Sequence, residues 1–236
     1  MKNGDWIKID FVGRVRVTGE VFDLTREDDA KAFGIHDKKK KYGPALVILG
    51  GGMIIVGVEN ELLGMDVGEK KKFTVKPEDA LGQRKPALMR VLPVAKFTKE
   101  KITPFPGLWL MVDGMNCKVV SVAGGRVKVD FNHPLAGKEL EYEVEIAGEV
   151  KDSLARVEEL MELYGIGGKA SVDGKKVTIS TEKEVNGFAK RLLEDMLRKW
   201  GDGIESVAFE VKKPHEKKPA AEETPAAEEK KAEATA

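Results

Sequence analysis

Leu49-Gly50-Gly51-Gly52-Met53-Ile54-Ile55-Val56-Gly57-Val58-Glu59 is followed closely by Leu63-Gly64-Met65-Asp66-Val67-Gly68-Glu69-Lys70. Residues 45–49, just before the glycines, form an apolar strand. From Val56 to Leu63 the apolar spacing becomes that of a short helix, which Gly64 ends. Residues 70–75 are a strand again. Working back toward the N-terminus, residues 6–12 and 14–17 alternate as strand, Thr18-Gly19-Glu20 turns the chain, and Glu20 to Phe22 returns. Residues 25–43 are a long polar excursion carrying the basic run 38–41, which reads as a solvated loop. The first 150 residues therefore read as β-rich, with one short helix among the strands.

Composition bounds the function. The chain has 236 residues, which at about 150 per domain implies one to three domains. Forty basic residues balance forty acidic ones, so net charge alone does not draw the protein to nucleic acid. The single cysteine, Cys117, excludes an intramolecular disulfide framework and multi-cysteine metal sites. His36, His133 and His215 lie far apart, so no cofactor and no metal is expected. No apolar run reaches the roughly 18 residues of a membrane span, and the first ten residues contain no uninterrupted apolar core of a secretion signal. One glutamine and five asparagines among abundant Lys and Glu fit a cytoplasmic protein from a hot environment.

Residues 84–130 change character. Nine basic residues stand against three acidic ones, and apolar residues cluster at Met89, Val91, Leu92 and Val94 and again at Leu108, Trp109, Leu110 and Met111. Residues 119–122 and 126–130 flank Gly124-Gly125 as a hairpin. Strand character of the earlier type resumes at residues 140–146, so the basic segment reads as a module inserted into the first domain. A 47-residue module buries little, and part of its apolar surface is expected to stay exposed. Aromatics suited to stacking on bases are sparse there, which does not favour nucleic acid.

A third unit covers residues 153–211 in the order α-β-β-α-β. Its first helix runs from Ser153 to Tyr164 and is stopped by Gly165. Asp173-Gly174 turns a hairpin. Val185, Phe188, Ala189, Leu192, Leu193, Met196, Leu197 and Trp200 form one helical stripe, with Thr181 and Glu184 as a capping box and Gly201 as a left-handed stop. About 60 residues make a small core, so this unit should pack on another domain or on a second copy. Gly165, Gly167 and Gly168 lack the strand and the Gly-Lys-Ser/Thr that a phosphate loop needs. Residues 212–236, with six Lys, six Glu and almost nothing to bury, read as a disordered tail.

Several strings together carry a resemblance. They are Phe22-Asp23, the glycine segment and Met65-Asp66-Val67-Gly68-Glu69 already quoted, Pro77-Glu78-Asp79-Ala80-Leu81-Gly82, and Phe131-Asn132-His133-Pro134-Leu135-Ala136-Gly137-Lys138 leading into Leu140-Glu141-Tyr142-Glu143-Val144. From about Asp5 to Val150 the chain resembles FKBP-type peptidyl-prolyl cis-trans isomerases of the SlyD branch. It is most similar to the long archaeal forms that add a C-terminal domain.

The resemblance implies an α+β protein: a half-barrel of antiparallel strands over one helix (residues 1–83 plus 132–151), an insert-in-flap chaperone domain (84–131) and the C-terminal α-β-β-α-β domain. It implies an isomerase whose pocket includes Phe11, Phe22, Asp23, Ile54, Ile55, Val58, Leu81 and Tyr142. The Ile55 backbone N–H would bind a substrate carbonyl, and Asp23 would stand at the rim. Read without it, the aromatics and aliphatics are ordinary core and Asp23 is a turn residue. It implies that Met89, Val91, Leu92, Val94, Leu108, Trp109 and Met111 bind unfolded chains. Partners would then be proline-containing peptides and unfolded polypeptides, with a homodimer through the C-terminal domain as a further expectation. Nickel binding through a His-rich tail does not carry over, because this tail has only His215.

The chain departs from the family at four positions. The family often has Tyr at Phe11, an aromatic at Ala45, Trp or Leu at Val58, and Tyr at Leu81. Leucine has no hydroxyl to donate, so catalysis on short peptides is expected to be weak. A holdase chaperone on a weakly active scaffold is the competing reading.

Overall fold

The computed structural model describes residues 1–211; the predicted disordered tail lies outside the described residues. Strands β1 (Trp6–Val15), β2 (Val21–Leu24) and β3 (Ala45–Ile48) open the chain, with helix α1 (Glu27–Ala32) inside the polar excursion. Helix α2 (Val56–Leu62) and strand β4 (Lys70–Val75) follow. The second segment then contributes β5 (Met89–Pro93), α3 (Val94–Lys99), β6 (Trp109–Val112), β7 (Met115–Ala123) and β8 (Arg126–Asp130). The chain returns through β9 (Leu140–Glu149) and ends in α4 (Ser153–Leu163), β10 (Lys169–Asp173), β11 (Lys176–Thr181), α5 (Gly187–Trp200) and β12 (Ser206–Val211).

Long strand β1 organises the first sheet. Along one edge it pairs antiparallel with β3 (Trp6 opposite Ile48) and then with β2 (Val12 opposite Leu24). Along the other edge it pairs with β9 over its length, and β9 pairs with β4. Successive side chains on a strand point to opposite faces. Ile7 and Ile9 of β1, with Val47 of β3 and Tyr142, Val144 and Ile146 of β9, face α2 and bury its Val58 and Leu62. Gly57 lets this helix approach the sheet, since a β-carbon there would strike Val75. Trp6, Leu46 and Ile48 point the other way, into a core shared with the C-terminal unit. The region between β1 and β3 is thus apolar on both faces because both are covered.

The second sheet runs β5-β8-β7-β6, all antiparallel. Its two tight hairpins use Asp113-Gly114 and Gly124-Gly125, all four with positive φ, as two-residue loops between right-twisted strands require. Phe97 of α3 closes a separate core with Val112, Cys117, Val119, Val127 and Val129. Leu92, Val94 and Leu108 pack into this core, which corrects their expected place on a chain-binding surface.

The two crossings between the sheets are cross-linked by polar groups. Asn132 accepts from the Lys85 N–H at 2.8 Å and donates back to the Lys85 carbonyl at 3.1 Å. It also donates to Asp130 Oδ1 through its side chain (2.7 Å) and its backbone (2.9 Å). Arg84 pairs with the other Asp130 oxygen. Burial pushes the Asp130 carboxyl up, but these donors outweigh it and hold the group below the usual carboxylate range. His133 makes a turn, its Nδ1 accepting from the Leu135 N–H at 3.2 Å.

In the C-terminal unit the sheet order is β10-β11-β12, with β12 parallel to β11 and α5 as the crossover. Three local expectations change. Asn186, not Thr181, caps α5, accepting from the Phe188 N–H at 2.8 Å; Thr181 ends β11 and bonds the Lys183 carbonyl. Gly201 has φ −90°, so it is no left-handed stop; a β-carbon there would strike the Leu197 carbonyl. Phe188 falls off the buried stripe and is 70% exposed.

Replacing Asn132 by Ala leaves Asp130 and the Lys85 carbonyl short of partners. We expect Asn132→Ala to cost about 2 kcal/mol in chemical denaturation and to speed amide exchange at residues 84–88 and 130–133.

Candidate functional site

An open apolar hollow of about 480 Å³ lies beside the N-terminal end of α2. Phe11 comes from β1, Asp23 from β2, Ala45, Leu46 and Val47 from β3, Met53, Ile54 and Ile55 from the glycine segment, and Tyr142 from β9. Five predicted residues (Phe11, Asp23, Ile54, Ile55, Tyr142) therefore meet here, drawn from four separate parts of the chain.

Tyr142 is the centre of an aromatic group. Phe22 meets it edge-on at 5.7 Å, Phe11 tilted at 6.0 Å and Phe73 stacked at 6.2 Å. Gly13 makes room for this: a β-carbon would stand 2.6 Å from Phe22 and 3.3 Å from Tyr142. Phe22 thus supports Tyr142 from behind and does not line the hollow. Burial first, and the Asp23 charge second, push the Tyr142 hydroxyl up to about 12. The hydroxyl has no hydrogen-bond partner among the described residues, yet no fully buried side-chain polar atom there lacks one. It therefore keeps some accessible surface and is free to donate.

At the rim, Asp23 accepts from the Leu24 N–H at 2.9 Å and from Lys40 Nζ at 2.7 Å. Lys40 belongs to the basic run and also donates to the Leu24 carbonyl at 3.0 Å. Both side chains are half exposed, so the pair adds little stability and shapes the rim instead. The Ile55 carbonyl accepts from Val58 and Glu59 to start α2, while its N–H has no partner among the described residues.

Besides Phe22, two more predicted pocket residues do not line the hollow. Val58 has no exposed surface and is core beneath α2. Leu81 is 40% exposed and lies outside the hollow, just after a 3₁₀ turn at Pro77–Asp79. Met53, Gly13 and Phe73 were missed. Phe73 alone left a signal, as an apolar residue alternating between Lys72 and Thr74 in β4.

A second cleft, of about 740 Å³, lies along the edge strand β6, with Leu110 and Asn132 in its lining. Trp109 and Met111 line it together with Asn116 of β7 and the turn residues Phe131, His133 and Pro134. Trp109 and Met111 are about half exposed, at 48% and 59%, and Val91 is 59% exposed on β5. Met89 is half-buried.

The chain is 35% identical over 146 residues to a protein of Methanocaldococcus jannaschii named short-type peptidyl-prolyl cis-trans isomerase, covering 62% of this chain and 92% of that relative. An FKBP-type 16 kDa peptidyl-prolyl cis-trans isomerase of Escherichia coli is 31% identical over 129 residues, which span 53% of this chain and 85% of the relative. The chain belongs to the FKBP-type peptidyl-prolyl cis-trans isomerases. Within that family, the SlyD of Aeromonas hydrophila is 35% identical over 130 residues, 53% of this chain and 59% of that protein. The family model described as FKBP26, IF domain, matches residues 90–135. This FKBP-type chain is accordingly an isomerase, and its match to an IF-domain model falls on the second sheet.

Burial of the Tyr142 hydroxyl ties stability to pH. A hydroxyl held neutral in the folded state stabilises fully below its unfolded value near pH 10, and that stability is lost as pH rises toward 12. Between pH 9 and 11.5 the parent should lose on the order of 2 kcal/mol more stability than Tyr142→Phe in chemical denaturation.

Proposed function

We propose that X–Pro bonds rotate in the hollow between Phe11, Ile54, Ile55 and Tyr142, and that the exposed face of the second sheet holds unfolded chains for it. The observation that carries this reading is an open apolar hollow with one acid at its rim and two free donors, the Ile55 N–H and the Tyr142 hydroxyl.

The chemistry asks for little more. Amide resonance sets a barrier of about 18–20 kcal/mol, while cis and trans differ by only about 0.5–1 kcal/mol. No covalent bond is made or broken, so no nucleophile and no acid–base pair is required. Water favours the planar, polar amide over the twisted one. An apolar seat for the prolyl ring removes that advantage, and each 1.4 kcal/mol or so gained is about tenfold in rate. The Ile55 N–H would take the carbonyl on one side of the bond. The Tyr142 hydroxyl would supply the orienting donor that Leu81, turned to solvent, does not. Lys40 keeps Asp23 from standing as an unpaired charge beside the ring.

The second sheet supports the chaperone part. Val91, Trp109 and Met111 project from the face opposite its core, and methionine and tryptophan suit contact with many sequences. Met89 stands at the edge of this surface. A chain held there stays tethered to the same molecule as the hollow, which raises its local concentration. Residues 1–83 with 132–151 would form the catalytic domain, and 84–131 the chain-holding one.

Two experiments test the reading. Tyr142→Phe should lower kcat/KM on a prolyl tetrapeptide by about tenfold, the worth of one hydrogen bond, in NMR-detected cis–trans exchange. Deleting residues 85–130 and joining the ends should leave tetrapeptide catalysis nearly intact and slow catalysis of a proline-limited refolding reaction at least about tenfold through lost local concentration. Equal losses on both substrates would refute the division of labour.

A further inference from the structure

The segment Gly50-Gly51-Gly52 delivers Met53, Ile54 and Ile55 to the hollow. Three glycines have no side chains with which to fix their own path, and they lose more freedom on ordering than any other residue. Their path is nevertheless held from two sides. On one, the Gly50 N–H donates to Glu59 Oε1 of α2 at 2.6 Å, and the Gly51 N–H to the Ile48 carbonyl at 2.9 Å. On the other lies the indole of Trp200, the last residue of α5 in the C-terminal unit. A β-carbon on Gly50 would stand 3.2 Å from its Cη2, and one on Gly4 would stand 4.0 Å from its Cζ3.

Trp200 is itself anchored to the first sheet. Its carbonyl accepts from the Trp6 indole N–H at 2.9 Å. Trp200 and Met53 both pack on the core that Trp6, Leu46 and Ile48 share with α4 and α5. Met53 therefore touches the shared core with one part of its surface and the hollow with another.

We propose that Trp200 is a positioning residue for the isomerase: through Gly50 and Met53 it sets where Ile54 and Ile55 stand. This inference rests on the reading of the hollow as the isomerase site. Trp200 does not line that hollow, so its effect is geometric. Displacing a binding group by about 1 Å from a distance can cost up to about a hundredfold in rate. The C-terminal unit thereby becomes a working part of the enzyme.

The test uses the full chain and a prolyl tetrapeptide. Trp200→Ala should raise KM about fivefold and lower kcat/KM by about tenfold, a modest share of that limit. It should also quicken amide exchange at residues 50–55. Trp200→Phe, which keeps an aromatic plane on Gly50, should recover most of the loss. Phe188→Ala, on the exposed face of the same helix, should leave activity unchanged. Simple loss of folded protein would lower kcat without moving KM. Should Trp200→Ala fail to fold, Trp200→Phe and Trp200→Leu should give a graded rise in KM and in exchange at residues 50–55. Unchanged KM and unchanged exchange in variants that fold would overturn the proposal. Ile54→Ser separates the two readings. Its loss of activity beside an unaffected Trp200 variant sinks the positioning role alone, whereas full activity in Ile54→Ser sinks the pocket reading and this inference with it.

Discussion

Burial of one strand on both of its faces is the constraint on which the other elements depend. At its start β1 presents Trp6 to one side and Ile7 to the other, and β3 beside it does the same with Leu46 and Val47. Alternating strands need one cover; this pair needs two. Helix α2 supplies the first, and its N-terminal end forms part of the hollow's border. Helices α4 and α5 supply the second. Each fully buried large side chain contributes about 1.5–3 kcal/mol, so Trp6, Leu46 and Ile48 give the C-terminal unit a substantial reason to dock. A unit of about 60 residues gains the apolar area that it could not assemble by itself.

The insert is joined by the opposite chemistry. Its two connections are held by Asn132, Asp130, Arg84 and the Lys85 backbone, with few apolar contacts between the sheets. Hydrogen bonds of this kind fix where two chains cross, because each donor meets one acceptor at one distance. The second sheet keeps its own core and leaves Val91, Trp109 and Met111 outside it. A covered core and an uncovered face follow from the same alternation along β5 and β6.

Long periodic patterns were legible in the sequence, and short or paired ones were less so. The stripe along α5 predicts that helix to within two residues at its start, but its cap is Asn186, since the buried Thr181 is spent ending β11. Helices α1 and α3 are six residues each, and each buries one side chain, too little for a periodic signal. In the insert, grouping residues by apolar clusters mixed the two faces of β5 and β6; Leu92 and Leu108 turn inward where Val91, Trp109 and Met111 do not. The hollow was beyond periodicity altogether. Phe11, Asp23, Ile54 and Tyr142 meet only through strand pairing across the whole domain, so likeness to a family was the one sequence signal that could group them. Leu81 and Val58 show the limit of that signal: the first carries no aromatic ring here and stays outside, and the second is too small to reach past the helix it anchors.

The contact between Trp6 and Trp200 spans 194 positions of sequence. On a ribosome, domains emerge and fold N-terminal first. The glycine segment, the hollow and the second sheet all leave the exit before Trp200 does. A nascent copy of this protein thus completes the second sheet, and the strands that line the hollow, before Trp200 can close in behind Gly50.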